Sequence, residues 1–128
     1  MCNQAKPVVL SFWKSMGGND FYAASQFLSD DYEGAWPQSS ALIRGRDNFS
    51  ALNTAYPSKG KWRFTVNSII TEGSQVVTDV SVSGDEQKAR AIRFNTIENN
   101  QIHRQAGYWP ESYSAPKWRT EWVEKNPP

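Results

Sequence analysis

The feature that most constrains this chain is a change of hydrophobic period near residue 60. Before it, apolar side chains recur at helical spacing; after it, they alternate. Val9, Phe12, Trp13 and Met16 fall at i, i+3, i+4 and i+7, one stripe down a helix that begins around Pro7, a residue suited to a first turn. Gly17-Gly18 ends that helix. Asn19 or Asp20 caps a second one, which carries Phe21, Ala24, Phe27 and Leu28 on one face and ends at Ser29-Asp30-Asp31. A short extended piece over 32–36 runs into Pro37. A third helix over 47–55 turns Phe49 and Leu52 inward, with Pro57 just past its end.

Beyond residue 60, Trp62, Phe64, Val66, Ser68 and Ile70 alternate along a strand. Gly73-Ser74 turns it into a second strand, whose more apolar face holds Val76, Val80 and Val82. Ser83-Gly84-Asp85-Glu86 turns again into a third strand over 88–97, and Glu98-Asn99-Asn100 makes a tight turn into a fourth over 101–109. Helices first, then a meander of long strands, read as α+β, with the helices packed on one face of an antiparallel sheet. After Pro110 a tail over 110–128 carries a short helix near Pro116, capped by Ser114, with Trp118 and Trp122 at i, i+4. The whole is one domain of 128 residues, ordered over about 7–124, with no internal repeat or linker before residue 110.

The remaining composition excludes several function classes. A net charge of +1 lacks the basic footprint of a nucleic-acid binder. Arg44, Arg46, Lys59, Lys61 and Arg63 lie near Trp62 and Phe64, but Asp47 and Glu72 stand close by, so the cluster reads as ordinary surface. A single Cys2 gives no internal disulfide, and one histidine without spaced carboxylates gives no metal site. No apolar run approaches the ~20 residues of a membrane span, and the first residues have no apolar signal-like core, so the expected compartment is the cytoplasm. Six Trp, five Tyr and six Phe point to an aromatic core or an aromatic ligand pocket.

Strand parity sorts the candidates by face. On the last strand His103, Gln105, Gly107 and Trp109 share one side, opposite Ile102, Arg104, Ala106 and Tyr108. On the strand before it Ala91, Arg93, Asn95 and Ile97 share a side, opposite Ile92, Phe94 and Thr96. The mixed polar sets either line a cavity beneath the helices or face solvent or a partner subunit.

The order of elements, together with Leu28-Ser29-Asp30-Asp31-Tyr32, Trp36-Pro37-Gln38-Ser39, Ile43-Arg44-Gly45-Arg46-Asp47-Asn48-Phe49, Tyr108-Trp109-Pro110-Glu111 and Ala115-Pro116-Lys117-Trp118-Arg119, resembles the SnoaL-like, polyketide cyclase-related branch of the nuclear transport factor 2-like superfamily. The resemblance runs from about Pro7 to Glu124. It implies a cone of three helices on a curved antiparallel sheet, a pocket inside the cone, and a homodimer through the outer sheet face. It places His103, Gln105, Gly107 and Trp109 inward, with Arg93 and Asn95 beside them and Trp36 near the mouth. It also shows departures. Trp36 stands where related steroid isomerases carry a carboxylate base, Phe12 where they carry a Tyr donor, and Arg93 where they carry a second acid. Gly107 stands where the polyketide cyclases carry an acidic residue.

The expected function is therefore binding of a small, largely apolar or aromatic molecule in the cone. Trp13, Tyr32, Trp36, Trp62 and Trp109 are the candidate walls; Arg93, Asn95 and Gln105 are the candidate polar contacts. An imidazole titrates near neutral pH, so His103 is the candidate catalytic residue for cofactor-free isomerisation, dehydration or cyclisation. Asp30-Asp31 reads as a helix end rather than a catalytic pair. No metal and no cofactor is expected. The competing classes are a non-catalytic dimeric module with a filled cavity, and protein interaction through the Trp-rich tail. In the tail, Trp118 and Trp122 either pack on the body or a partner, or form a lid over the cavity.

Overall fold

The computed structural model describes residues 5–55, 61–84, 88–111 and 113–124. Cys2, Pro57, Lys59 and the Asp85-Glu86 turn lie outside them. Three helices, α1 (Ala5–Gly17), α2 (Phe21–Ser25) and α3 (Arg46–Ala55), accompany six strands: β1 (Leu28–Trp36), β2 (Ala41–Arg44), β3 (Arg63–Glu72), β4 (Gln75–Ser83), β5 (Lys88–Glu98) and β6 (Gln101–Tyr108). They form one curved sheet in the order β2-β1-β6-β5-β4-β3. The α+β cone expected from the sequence is present, with one difference: the β1–β6 pair is parallel, and every other pair is antiparallel. β1 follows helices and reaches β6 by a long connection, which permits the parallel arrangement.

The helical stripe buries as its spacing demands. Val9 and Phe12 are fully buried, and Trp13 and Met16 nearly so, with α1 lying over β3, β4 and β6. Burial of a ring such as that of Phe12 stabilises by ~1.5–3 kcal/mol relative to exposure. Asp20 caps α2, its Oδ1 accepting from the Ala23 amide at 3.0 Å. α2 is shorter than its apolar spacing predicts. Leu28 pairs with Ile102 and the Ile102 amide donates to the Phe27 carbonyl at 2.8 Å, so Phe27 and Leu28 are drawn into sheet hydrogen bonding. Ser29-Asp30-Asp31 is consequently strand, not a helix end. β2 is a strand the sequence pattern did not reveal, since only Ile43 of its four residues is buried.

Besides a register shift in β1 between Leu28 and Glu33, two irregularities reset strand parity. In β3 the register steps from Val66 to Ser68 between consecutive β4 partners, leaving Asn67 as an extra residue. Ile69 therefore packs on the core while Ile70 is 67% exposed, the reverse of an uninterrupted alternation. In β6, Ile102 faces Ile97 and Arg104 faces Thr96, so His103 is the extra residue. Ile102 is buried, Arg104 exposed, and Gln105 and Gly107 buried again.

The tail leaves its two indoles largely exposed. Residues Lys117–Trp122 form a 3-10 helix, and Trp118 and Trp122 are both 72% exposed. The i, i+4 spacing suits an α-helical face, whereas the segment is a 3-10 helix whose two rings stand largely open.

Candidate functional site

Inside the cone, β1, β5 and β6 bring four polar side chains together. The Tyr32 hydroxyl donates to Gln105 Oε1 at 2.7 Å, Gln105 Nε2 donates to Asn95 Oδ1 at 2.9 Å, and Asn95 Nδ2 donates to the Val76 carbonyl at 2.9 Å. Arg93 Nη1 reaches the same Gln105 Oε1 at 3.3 Å. All four residues are at most 3% exposed. The chain of bonds satisfies groups that would otherwise cost ~1–3 kcal/mol each when buried.

Arg93 is the exception. It makes that one hydrogen bond to a neutral acceptor; its Nε meets no acceptor, and among the described residues no carboxylate pairs with it. Its guanidinium carbon lies over the Trp13 ring at 5.6 Å and over the Trp109 ring at 5.5 Å. Such contacts contribute ~0.5–2 kcal/mol each, short of the several kcal/mol that desolvating a cation costs. Burial accordingly lowers its proton affinity, while neighbouring Tyr32 raises it. A guanidinium begins so far above neutrality that it stays charged.

Arg93 opens onto a pocket of about 270 Å³ at the cone mouth, walled by Trp36, Trp62, Trp109, Phe21, Phe64 and Met16, with Asn53, Lys88, Val82 and Ala89 completing it. The volume sits at the lower edge of the ~300–1,000 Å³ of small-molecule sites. Side-chain hydrogen bonds to distant backbone groups hold the walls. Asn19, at φ +58°, clasps the Trp62 backbone from both sides: Nδ2 donates to its carbonyl and Oδ1 accepts from its amide, both at 2.7 Å. Gln38 Oε1 accepts from the Trp109 amide at 2.6 Å. Trp36 and Trp109 meet edge to face, with centroids 6.2 Å apart. Gly107 leaves room for Arg93, since a Cβ there would stand 3.1 Å from its Nε and 3.5 Å from Trp36 Cδ1.

Of the candidates named from the sequence, Trp36, Trp62, Arg93 and Trp109 line this pocket. Trp13, Tyr32, Asn95 and Gln105 are inward but stand behind it, in the core and the polar network. His103 does not join them. The bulge swings it to the far end of β6, where its Nδ1 lies 3.1 Å from Asp31 Oδ1, 3.3 Å from Ser29 Oγ and 3.9 Å from Glu98 Oε2. It lies four strand positions from Gly107, at most about 14 Å at ~3.4 Å per residue. Ser29 donates to Asp31 Oδ1 at 2.8 Å, and this bond, helped by His103, holds the exposed Asp31 carboxyl below the usual carboxylate range. Asp30 turns away to Arg46 at 2.8 Å, so the neighbouring carboxylates form no pair. Among the described residues no group of His, Cys, Asp and Glu is placed to hold a metal ion.

The basic cluster also disperses. Arg44 on β2 pairs with Glu33 at 3.4 Å, whereas Arg63 is on β3, the opposite edge of the sheet. The sequence reading missed Phe21, Phe64 and Met16 as walls, although each sits on a face the periodicity had marked as inward. Lys88 and Asn53 carried no such signal: they are polar residues of β5 and α3, elements distant in sequence that only the tertiary structure brings to one pocket.

A family model described as the SnoaL-like domain matches residues 9–105. No curated protein matches the sequence. A proposed ketosteroid isomerase from Kribbella flavida DSM 17836 superposes with a TM-score of 0.89 at 24% identity, covering 98% of this chain and 91% of that one. An NTF-2 like protein of unknown function from Burkholderia xenovorans LB400 gives 0.81 at 27%, covering 97% and 96%. A proposed SnoaL-like polyketide cyclase from Jannaschia sp. CCS1 gives 0.72 at 13%, covering 83% and 85%.

Proposed function

The chain belongs to the SnoaL-like domain family, and from that premise we propose that it binds a small, largely apolar or aromatic molecule at the mouth of its cone. The observation that carries the reading is the open pocket walled by Trp36, Trp62 and Trp109, with Arg93 at its inner side. Three indoles supply area and stacking surface, and a single buried cation supplies direction. A module with a filled cavity fits less well, because about 270 Å³ remains open.

The reading stops at binding. Among the described lining residues there is no carboxylate, imidazole or thiol, the groups that ordinarily move protons in cofactor-free isomerisation or cyclisation. His103, the sequence's candidate for that role, faces Asp31 instead.

The test is titration with a neutral bicyclic probe, 2-naphthol, followed through the six indole N–H resonances of the ¹⁵N-labelled protein. The signals of Trp36, Trp62 and Trp109 are expected to shift, while those of Trp118 and Trp122 stay still. Unmoved resonances of all three wall residues at millimolar probe would overturn the reading.

We also propose a homodimer through the outer sheet face. Register places Ile70, Val77, Phe94, Ala106, Ala35 and Leu42 in one cross-strand row over all six strands. Ile70, Phe94 and Leu42 are 67%, 47% and 47% exposed. An apolar row of that reach fits a self-complementary face of a second copy.

A further inference from the structure

The charge of the pocket is one-sided. Two of its described lining residues are cationic, Arg93 and Lys88, and none is acidic. Arg93 is 3% exposed, has a single acceptor among the described residues in Gln105 Oε1, and keeps a buried Nε without a partner. The phenol beside it does not supply an anion: Tyr32 spends its proton on Gln105, and burial pushes its pKa up to about 12. The fold therefore holds a desolvated, directional cation at the inner end of an aromatic slot, with a second cation, Lys88, at the exposed rim.

We propose that the ligand of this pocket is a flat aromatic or apolar acid whose carboxylate pairs with Arg93 while its ring lies among Trp36, Trp62 and Trp109. This rests on the binding reading above and narrows its ligand class. The physical reason is complementarity. A carboxylate presents two coplanar acceptors to the planar N–H edge of a guanidinium, and the pair gains strength where water is excluded. A neutral ligand of the same shape leaves the buried cation without a counter-charge, so the site discriminates against it. One guanidinium matches one carboxylate, and the slot accepts about a bicyclic ring system.

The experiment is isothermal titration of the intact protein with 2-naphthoate and with 2-naphthamide, its neutral isostere, at pH 7. Naphthoate is expected to bind at least tenfold more tightly than naphthamide. Arg93→Met, checked for cooperative melting, is expected to bind the two probes alike, and Lys88→Gln to keep most of the preference. The wild-type comparison decides without a variant: equal affinities overturn the acid inference and leave the aromatic pocket standing. Loss of the preference in Lys88→Gln but not in Arg93→Met would also overturn it, by moving the anion to the rim. If neither probe nor 2-naphthol binds at millimolar concentration, the pocket reading falls together with the inference.

Discussion

At the scale of single residues, Tyr32 joins the core to the site. It is 1% exposed, its hydroxyl donates to Gln105 Oε1 at 2.7 Å, and its ring packs edge to face on Phe49. Burial pushes its pKa up to about 12, against a smaller opposing pull from Arg93. An unfolded tyrosine titrates near pH ~10. Above that pH the unfolded chain releases a proton that the fold retains, so stability falls as pH rises toward 12, by about 2–3 kcal/mol over the window. Tyr32→Phe is expected to cost ~1–2 kcal/mol at pH 7 through the lost hydrogen bond and to flatten that alkaline decline. Urea denaturation of both proteins from pH 7 to 11 checks it, and parallel pH profiles would show the phenol to be unimportant. Gly34 permits this arrangement, since a Cβ there would clash with the Tyr32 hydroxyl and ring. Gly34→Ala is expected to destabilise by ~1–3 kcal/mol through overpacking, read as a lowered urea midpoint.

At the scale of elements, the two strand irregularities decide which side chains meet. Alternation along β5 is unbroken, so parity groups Ala91, Arg93, Asn95 and Ile97 on one face, but it leaves open whether that face looks into the cone or out; the family resemblance points inward, and their burial shows it. β6 reads the same way in sequence, yet its extra residue at 103 sends the imidazole out of the cone while Gln105 and Gly107 stay in. Nothing local in Ile102-His103-Arg104 marks the bulge. It arises because β6 must match β5 on one side and β1, itself irregular between Leu28 and Glu33, on the other. His103→Ala is accordingly expected to leave the affinity for 2-naphthoate within twofold and to change stability by about 1 kcal/mol, the scale of one net hydrogen bond. A tenfold loss of affinity by calorimetry would return the imidazole to the site.

At the scale of the whole molecule, the open question is what covers the outer face of the sheet. Phe94 and Tyr108 stack edge to face across β5 and β6 in the outward apolar surface, with centroids 6.0 Å apart. Phe94→Glu would set a charge at the middle of the proposed self-contact, directly opposite its symmetry-related face. It is expected to convert a micromolar dimer into a monomer in sedimentation velocity with the far-UV dichroism unchanged; a monomeric wild type would overturn the dimer. The tail is a separate matter. Because Trp118 and Trp122 are both 72% exposed, a chain ending at Glu111 is expected to melt cooperatively with a loss of no more than ~0.5 kcal/mol. A collapse of cooperativity on truncation would show that the tail packs on the body after all.

What the sequence determined by itself was whatever a single segment encodes: the buried stripe of α1, a cap for α2 at Asn19 or Asp20, the grouping of side chains on the two faces of β5, the tight turn at Asn99-Asn100 where both residues take left-handed conformations, and from these the α+β order. Each depends on neighbours a few residues away, so periodicity reports it. Tertiary structure alone decided the early end of α2, the parallel pairing of β1 with β6, the exile of His103, and the division of the inward polar residues into a network and a lone pocket-facing arginine. Those features follow from register between strands distant in sequence and from which side chains find partners across the cone. Neither quantity is a property of one stretch of chain.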